Sequence, residues 1–293
     1  DEGGWTIEET IRLALELKPH LDLLLRHASG ALFQEAHYRA VQPFTLSLPG
    51  IPPAPSKTVK TSAAGNGVYF TPPSLARTIV EEALRALGEL PAKLRVFDPA
   101  CGSGEFLKES IRQLELRGYT GELELIGWDV LEAPARMSRF SLAYEARMTR
   151  SFRMTYQIEV CNSLERDQWP IGAMTLMNPP FGSLQSLSPA MKEKVTEIAG
   201  GGRPNLASAF LIRAIESVAD GGVLGAVIPS AVTDAQSGRQ VRAALASKFR
   251  PTLVGKLGSQ AVFANAIVDA GLYVGVKEPV LGKAPSRVVW ADP

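Results

Sequence analysis

From residue 68 onward, short apolar runs alternate with amphipathic stretches, and this rhythm constrains the fold more than any other feature. Helical patterns over 74–88, 104–117, 133–148, 206–219 and 240–249 alternate with strand-length apolar runs over 94–98, 123–129, 155–161, 174–178, 223–229, 252–257 and 267–276. Seven short strands interleaved with helices predict an α/β fold, a parallel sheet with helices on both faces. No internal repeat is visible.

Composition agrees with a packed domain. Of 293 residues, 45% are hydrophobic and 21% charged, so a core is within reach and disorder is not expected. The net charge of +1 lacks the basic footprint of a stand-alone nucleic-acid binder. The longest apolar run, Val223–Val232, is broken by Gly225, Pro229 and Ser230, far short of a membrane span. With no signal peptide visible, a cytoplasmic protein is expected. Two cysteines, Cys101 and Cys161, exclude a disulfide framework and a four-cysteine zinc site, and no metal is expected. The three histidines, His20, His27 and His37, all precede residue 41, so any chemistry beyond them runs without a histidine base or a Ser-His-Asp triad.

The chain divides by composition. Residues 1–40 carry Ile7, Ile11, Leu15, Leu21, Leu24 and Leu25 at helical spacing, a helical N-terminal segment. Residues 41–67 hold Pro43, Pro49, Pro52, Pro53 and Pro55, then Gly65 and Gly67, the pattern of a linker. Residues 68–278 form the expected catalytic domain, and 279–293 a tail. The chain opens on Asp1 rather than Met, as a piece excised from a longer protein would. Arg136, Arg139, Arg147, Arg150 and Arg153 cluster around one predicted helix. A solvated face is the first reading, and phosphate contact the second.

Val96-Phe97 runs into Asp98-Pro99-Ala100-Cys101-Gly102-Ser103-Gly104, and a helical pattern follows at once. Glycines at a strand-to-helix turn let the backbone approach a ligand and aim amides at it. A second carboxylate, Asp129, ends the next strand, where a ribose diol is bound in nucleotide folds. Asp98 would repel a pyrophosphate but suits a cationic amino group. A nucleoside joined to an amino acid satisfies both ends, which describes S-adenosylmethionine.

Here the residues resemble a family. The run Asp98 to Leu107, DPACGSGEFL, looks like the cofactor motif of DNA adenine-N6 methyltransferases, enzymes with a Rossmann-like seven-stranded sheet. Tyr69-Phe70-Thr71-Pro72 resembles their upstream motif, which packs around the methionine end of the cofactor. Asn178-Pro179-Pro180-Phe181 resembles their catalytic motif. Asn205–Ala207, Ile228-Pro229 and Ala244-Leu245 are similar to their next helix, strand and helix. The likeness implies cofactor contacts from Tyr69, Thr71, Asp98, Pro99, Ala100, Gly102, Gly104, Phe106, Asp129, Val130, Asn162, Ser163 and Asn178.

The catalytic motif has a chemical rationale. An adenine amino nitrogen is a poor nucleophile because its lone pair is delocalised. Two acceptors, the Asn178 side-chain oxygen and the Pro179 carbonyl, can hold its two N–H groups and free the lone pair for attack on a sulfonium methyl. Pro179 and Pro180 keep those acceptors rigid. Phe181 can stack on a base flipped from a duplex. The resemblance implies a second aromatic on the opposite face of the base, and Phe263 is the candidate.

One residue departs from the pattern. Asn162 follows the third strand where the family carries an Asp that touches the cofactor's adenine. The amide still accepts a hydrogen bond but more weakly than a carboxylate, so a modest cofactor affinity is expected. Residues 182–204, with Gly200-Gly201-Gly202, read as a mobile lid or a solvent loop.

Only 15 residues separate Asn162 from Asn178, leaving no room for an inserted recognition domain. The resemblance then places DNA recognition after the last strand or in a specificity subunit, within a restriction-modification or related defence system. DNA is the expected partner, with the recognition domain outside this chain and no membrane contact. Two other functions fit the residues: an N-methyltransferase acting on a protein glutamine or a ribosomal RNA guanine, and a non-catalytic cofactor-binding subunit of a larger assembly.

Overall fold

Eight strands form one sheet in the order β3-β2-β1-β4-β5-β7-β6-β8. The computed structural model describes residues 71–149, 151–182, 184–201, 204–229, 232, 238–257, 270–278 and 288–290. In chain order the elements are α1 (Pro73–Leu87), β1 (Lys93–Asp98), α2 (Glu105–Leu116), β2 (Glu122–Asp129), α3 (Glu132–Met148), β3 (Arg153–Val160), β4 (Gly172–Met177), α4 (Pro189–Ile198), α5 (Leu206–Ser217), β5 (Val218–Pro229), α6 (Arg239–Lys248), β6 (Phe249–Lys256), β7 (Ala270–Lys277) and β8 (Val288–Trp290). The helical segment expected over 1–40 and the linker over 41–67 lie outside the described residues.

Strand alternation sends side chains to two cores, one on each face. Leu94 and Val96 of β1, Leu123 and Leu125 of β2, and Val223 and Val227 of β5 join Ile79 and Val80 of α1 and Ile111 of α2. Phe97, Trp128, Met177 and Leu224 point the other way, toward Leu211 and Ala214 of α5 and Leu245 of α6. Both faces are therefore dry. Burying each such apolar side chain contributes about 1.5–3 kcal/mol.

The expected seven strands are present, but the sheet is not wholly parallel. β7 runs antiparallel to both β5 and β6. A parallel neighbour needs a crossover connection, which the helices between β1 and β5 supply, whereas an antiparallel return does not. Apolar periodicity is the same in either direction, so the pattern could not report it. The eighth strand was not expected: β8 pairs in parallel with the outer edge of β6. β8 is three residues long, too short for an apolar pattern to register.

A second difference concerns residues 182–204. α4 occupies Pro189–Ile198 of this stretch, with Pro at N1 and Ser188 accepting the Met191 N–H as N-cap. Val195 buries its side chain in the α5 face. Two arginines of the cluster have partners: Arg139 donates to the Ile158 carbonyl and to Glu132, and Arg153 pairs with Glu122. Arg150 lies outside the described residues.

Candidate active site

The sheet order reverses between β1 and β4, and ligands of open α/β sheets bind outside the carboxyl ends of strands at such a point. β1 pairs in parallel with both β2 and β4. Asp98 at the end of β1, Asp129 at the end of β2 and Asn178 just past β4 therefore sit along one edge. They line a common cavity of about 280 Å³.

The Gly-rich turn is built by the backbone. Gly102 and Gly104 hold φ values of 52° and 82°, the left-handed region that favours glycine. A Cβ on Gly104 would also lie 2.6 Å from Ser138 Oγ, so glycine is needed there for helix packing as well. The Cys101 N–H donates to the Trp128 carbonyl at 2.8 Å, docking the turn on β2. Gly102 N–H donates to Asp129 Oδ2 at 2.9 Å, and Leu131 N–H to Oδ1 at 2.8 Å.

The two carboxylates carry the electrostatics. Burial pushes the Asp98 carboxyl well above the ordinary carboxylate range; the Ala100 N–H pulls the other way and the Asp129 charge adds to the rise. Burial likewise raises Asp129, against the pull of the Leu131 and Gly102 N–H groups. No cation of the protein acts on either carboxylate among the described residues. Burial, then Asp98 and Asp129, also push the Cys101 thiol up, which disfavours its thiolate.

Ser163 Oγ donates to the Pro99 carbonyl at 2.5 Å, tying the β3 end to the turn. Trp169 Nε1 donates to the Ser163 carbonyl at 2.8 Å, and the Trp169 ring packs edge-on against Phe210 at 5.8 Å. Asn162 caps a 3-10 turn over Ser163–Glu165. Its Oδ1 accepts from the Leu164 N–H at 3.2 Å, and its Nδ2 donates to Glu165 Oε1 at 3.0 Å. Asn178, only 9% exposed, donates from Nδ2 to Thr71 Oγ1 at 3.1 Å.

Most residues expected in the site meet here. Thr71, Asp98, Pro99, Ala100, Gly102, Phe106, Asp129, Val130, Asn162, Ser163, Asn178, Pro179 and Pro180 all line the cavity. Gly104 shapes the turn without lining it. Phe181 also stands apart from the cavity wall, half-buried against the core on the α1 face. Tyr69 and Phe263 lie outside the described residues.

Among the lining residues that were not anticipated are Ser103, Leu187, Met191 and Phe210. Ser103 stands inside the Gly-rich turn, and its hydroxyl is buried with no protein partner among the described residues. Leu187 and Met191 are four residues apart around the Ser188-Pro189 helix start, a spacing the sequence does display.

These features fit S-adenosylmethionine. Two buried carboxylates that accept backbone N–H groups but have no ion-pair partner among the described residues suit a ligand that carries an ammonium and a diol, and the orphaned Ser103 hydroxyl can serve a polar end group. Among the described residues no cluster of His, Cys, Asp or Glu could hold a metal ion, and no helix is long and apolar enough to cross a membrane.

A type II methyltransferase, M.BanIII from Aneurinibacillus aneurinilyticus, is 25% identical over 226 residues, 72% of this chain and 38% of that protein. A solved structure assigned as a class I S-adenosylmethionine-dependent methyltransferase from Listeria monocytogenes superposes with a TM-score of 0.61 at 18% identity. It covers 96% of this chain and 88% of its own. A modification subunit assigned to a type I restriction enzyme of Vibrio vulnificus YJ016 gives 0.58 at 22% identity, over 78% of this chain and 48% of its own. Both structural likenesses speak for the fold, and the chain spans less than half the length of the type II methyltransferase and of the modification subunit. Residues 56–277 match the N-6 DNA methylase family, and the chain belongs to it.

Proposed function

We propose that this protein transfers a methyl group from S-adenosylmethionine to the N6 amino group of an adenine flipped out of duplex DNA. The observation that carries the reading is the placement of Asn178-Pro179-Pro180 in the same cavity as Asp98 and Asp129, across the β1–β4 switch point.

In this reading Asp129 binds the ribose hydroxyls and Asp98 faces the ammonium group, whose charge offsets the cost of its burial. Ser103 donates to the cofactor's polar end. S-adenosylmethionine, when bound, supplies an electrophilic methyl on a sulfonium. The Asn178 amide oxygen and the Pro179 carbonyl accept the two N–H bonds of the adenine amino group. That holds the nitrogen on line and localises its lone pair, so catalysis rests on positioning and preorganised dipoles. Phe181, outside the cofactor cavity, would stack on the flipped base. No histidine follows His37, in keeping with a mechanism that needs no such base.

We assign DNA reading to another domain or a specificity subunit, within a restriction-modification or related defence system acting in the cytoplasm. The near-neutral charge supports this, because sequence-independent DNA affinity comes mostly from lysine and arginine on phosphate. The test is to incubate the protein with tritiated S-adenosylmethionine and, in parallel, unmethylated duplex DNA, ribosomal RNA and a protein extract. Label is expected in DNA; label in protein or RNA instead would overturn the substrate class.

A further inference from the structure

We infer that Thr71 is a positioning residue for Asn178: its hydroxyl sets which end of the Asn178 amide faces the methyl-transfer cavity. The inference rests on the adenine reading above and adds a residue to it.

The two residues are 107 positions apart and meet side chain to side chain, Asn178 Nδ2 donating to Thr71 Oγ1 at 3.1 Å. Both line the cavity. Thr71 is held on a rigid base. Pro72 and Pro73 fix the backbone beside it, and α1 buries Leu75, Ala76, Ile79 and Val80 in the core directly after it.

An asparagine amide has two ends of nearly equal shape and opposite hydrogen-bonding sense. Turned over, Asn178 would present N–H groups to an amino group, donor against donor, and the target nitrogen would not be held. The terminal torsion of asparagine is soft and roughly two-fold, so its hydrogen-bond partners, Thr71 among them, set the choice. With Thr71 accepting from Nδ2, the oxygen is turned away from Thr71.

A hydroxyl can bond to either end of the amide, because it donates as well as accepts. Its proton breaks the tie. Thr71 lines the cavity, so an acceptor on the bound cofactor can take that proton and leave only lone pairs toward Asn178. Cofactor occupancy then biases the amide toward the orientation that accepts from adenine.

Two variants separate this role from mere packing. T71V keeps the shape and removes the hydroxyl; T71S keeps the hydroxyl. The first readout is hydrogen exchange at the Asn178 side-chain amide, in protein labelled with 15N-asparagine and saturated with S-adenosylhomocysteine; N178A assigns the signal. T71V is expected to speed exchange about tenfold, and T71S to recover most of that loss. The second readout is methyl transfer. T71V is expected to lower kcat roughly ten- to a hundredfold while cofactor KM rises by no more than about tenfold, the loss of one hydroxyl bond to the cofactor, and T71S to recover both. Unchanged exchange in T71V, a loss confined to cofactor KM, or a T71S variant as impaired as T71V would overturn the inference. If the wild-type protein labels RNA or protein instead of DNA, the adenine reading fails, and the amide exchange still decides the role of Thr71.

Discussion

Asp129 Oδ2 accepts the Gly102 N–H at 2.9 Å, so the carboxylate assigned to the ribose also holds the Gly-rich turn in shape. The other oxygen accepts from Leu131. Ligand binding and turn geometry thus share one side chain. D129A removes both, and S-adenosylhomocysteine affinity is expected to fall about a hundredfold, the cost of unpairing several buried polar groups. D129N, which keeps one acceptor, is expected to lose about tenfold. Isothermal titration calorimetry checks the order; equal affinity for D129A and wild type contradicts it.

Asp98 sets a trade between stability and binding. Its folded-state pKa lies above the unfolded value, so the folded protein binds the extra proton across that window. Stability therefore falls as pH rises from the ordinary carboxylate range through the raised value. D98N keeps an acceptor for the Ala100 N–H at 3.0 Å and removes the buried charge. At pH 7.5 the free D98N protein is expected to melt a few degrees higher than wild type (about 2–4 °C) and to bind S-adenosylhomocysteine about a hundredfold more weakly. In wild type, affinity rises with pH through the same window, because an ammonium group needs the ionised partner. A variant that melts lower, or binds as wild type, is the opposite result.

In the proposed reaction Asn178 would hold the target amine, and it is one part of the wall of the cofactor cavity. N178A is expected to lower methyl transfer at least about a thousandfold, beyond what one positioning hydrogen bond explains, because the acceptor pair acts as a unit. S-adenosylhomocysteine affinity is expected to change less than tenfold. Single-turnover transfer and calorimetry on the same sample separate the two.

Asn162 shows how the structure amends a sequence expectation. A carboxylate here was expected to tighten cofactor binding through a stronger acceptor. Yet Asn162 Nδ2 donates to Glu165 Oε1 at 3.0 Å, and N162D would set two carboxylates against each other. N162D alone is expected to leave affinity within threefold of wild type. N162D/E165Q, which restores a donor at 165, is expected to bind S-adenosylhomocysteine several-fold tighter. A large gain from N162D alone, or none from the pair, refutes this account of the loop.

Much of the fold could be read from residue order. Val96-Phe97 alternate between two cores and run into a glycine turn, which identifies β1 and the start of α2 without any tertiary knowledge. The direction of β7 and the existence of β8 could not, since apolar alternation carries no strand direction and three residues carry no period. In the site, Asp98, Asp129 and Asn178 announce themselves as polar residues at the ends of apolar strands. Leu187, Met191 and Phe210 do not: an apolar residue that lines a ligand looks like one that fills a core. The bond between Thr71 and Asn178 joins the start of α1 to the end of β4 and is visible only once the chain is folded.

The central claim is that the cavity at the switch point delivers a methyl group to adenine N6, held by Asn178. Duplex DNA labelled by the wild-type protein and tritiated S-adenosylmethionine would be digested to nucleosides and separated by chromatography, with N178A in parallel. The account predicts that the label co-elutes with N6-methyladenosine's deoxy form and is lost in N178A. Label on a methylated cytosine, or label that survives in N178A, would contradict it.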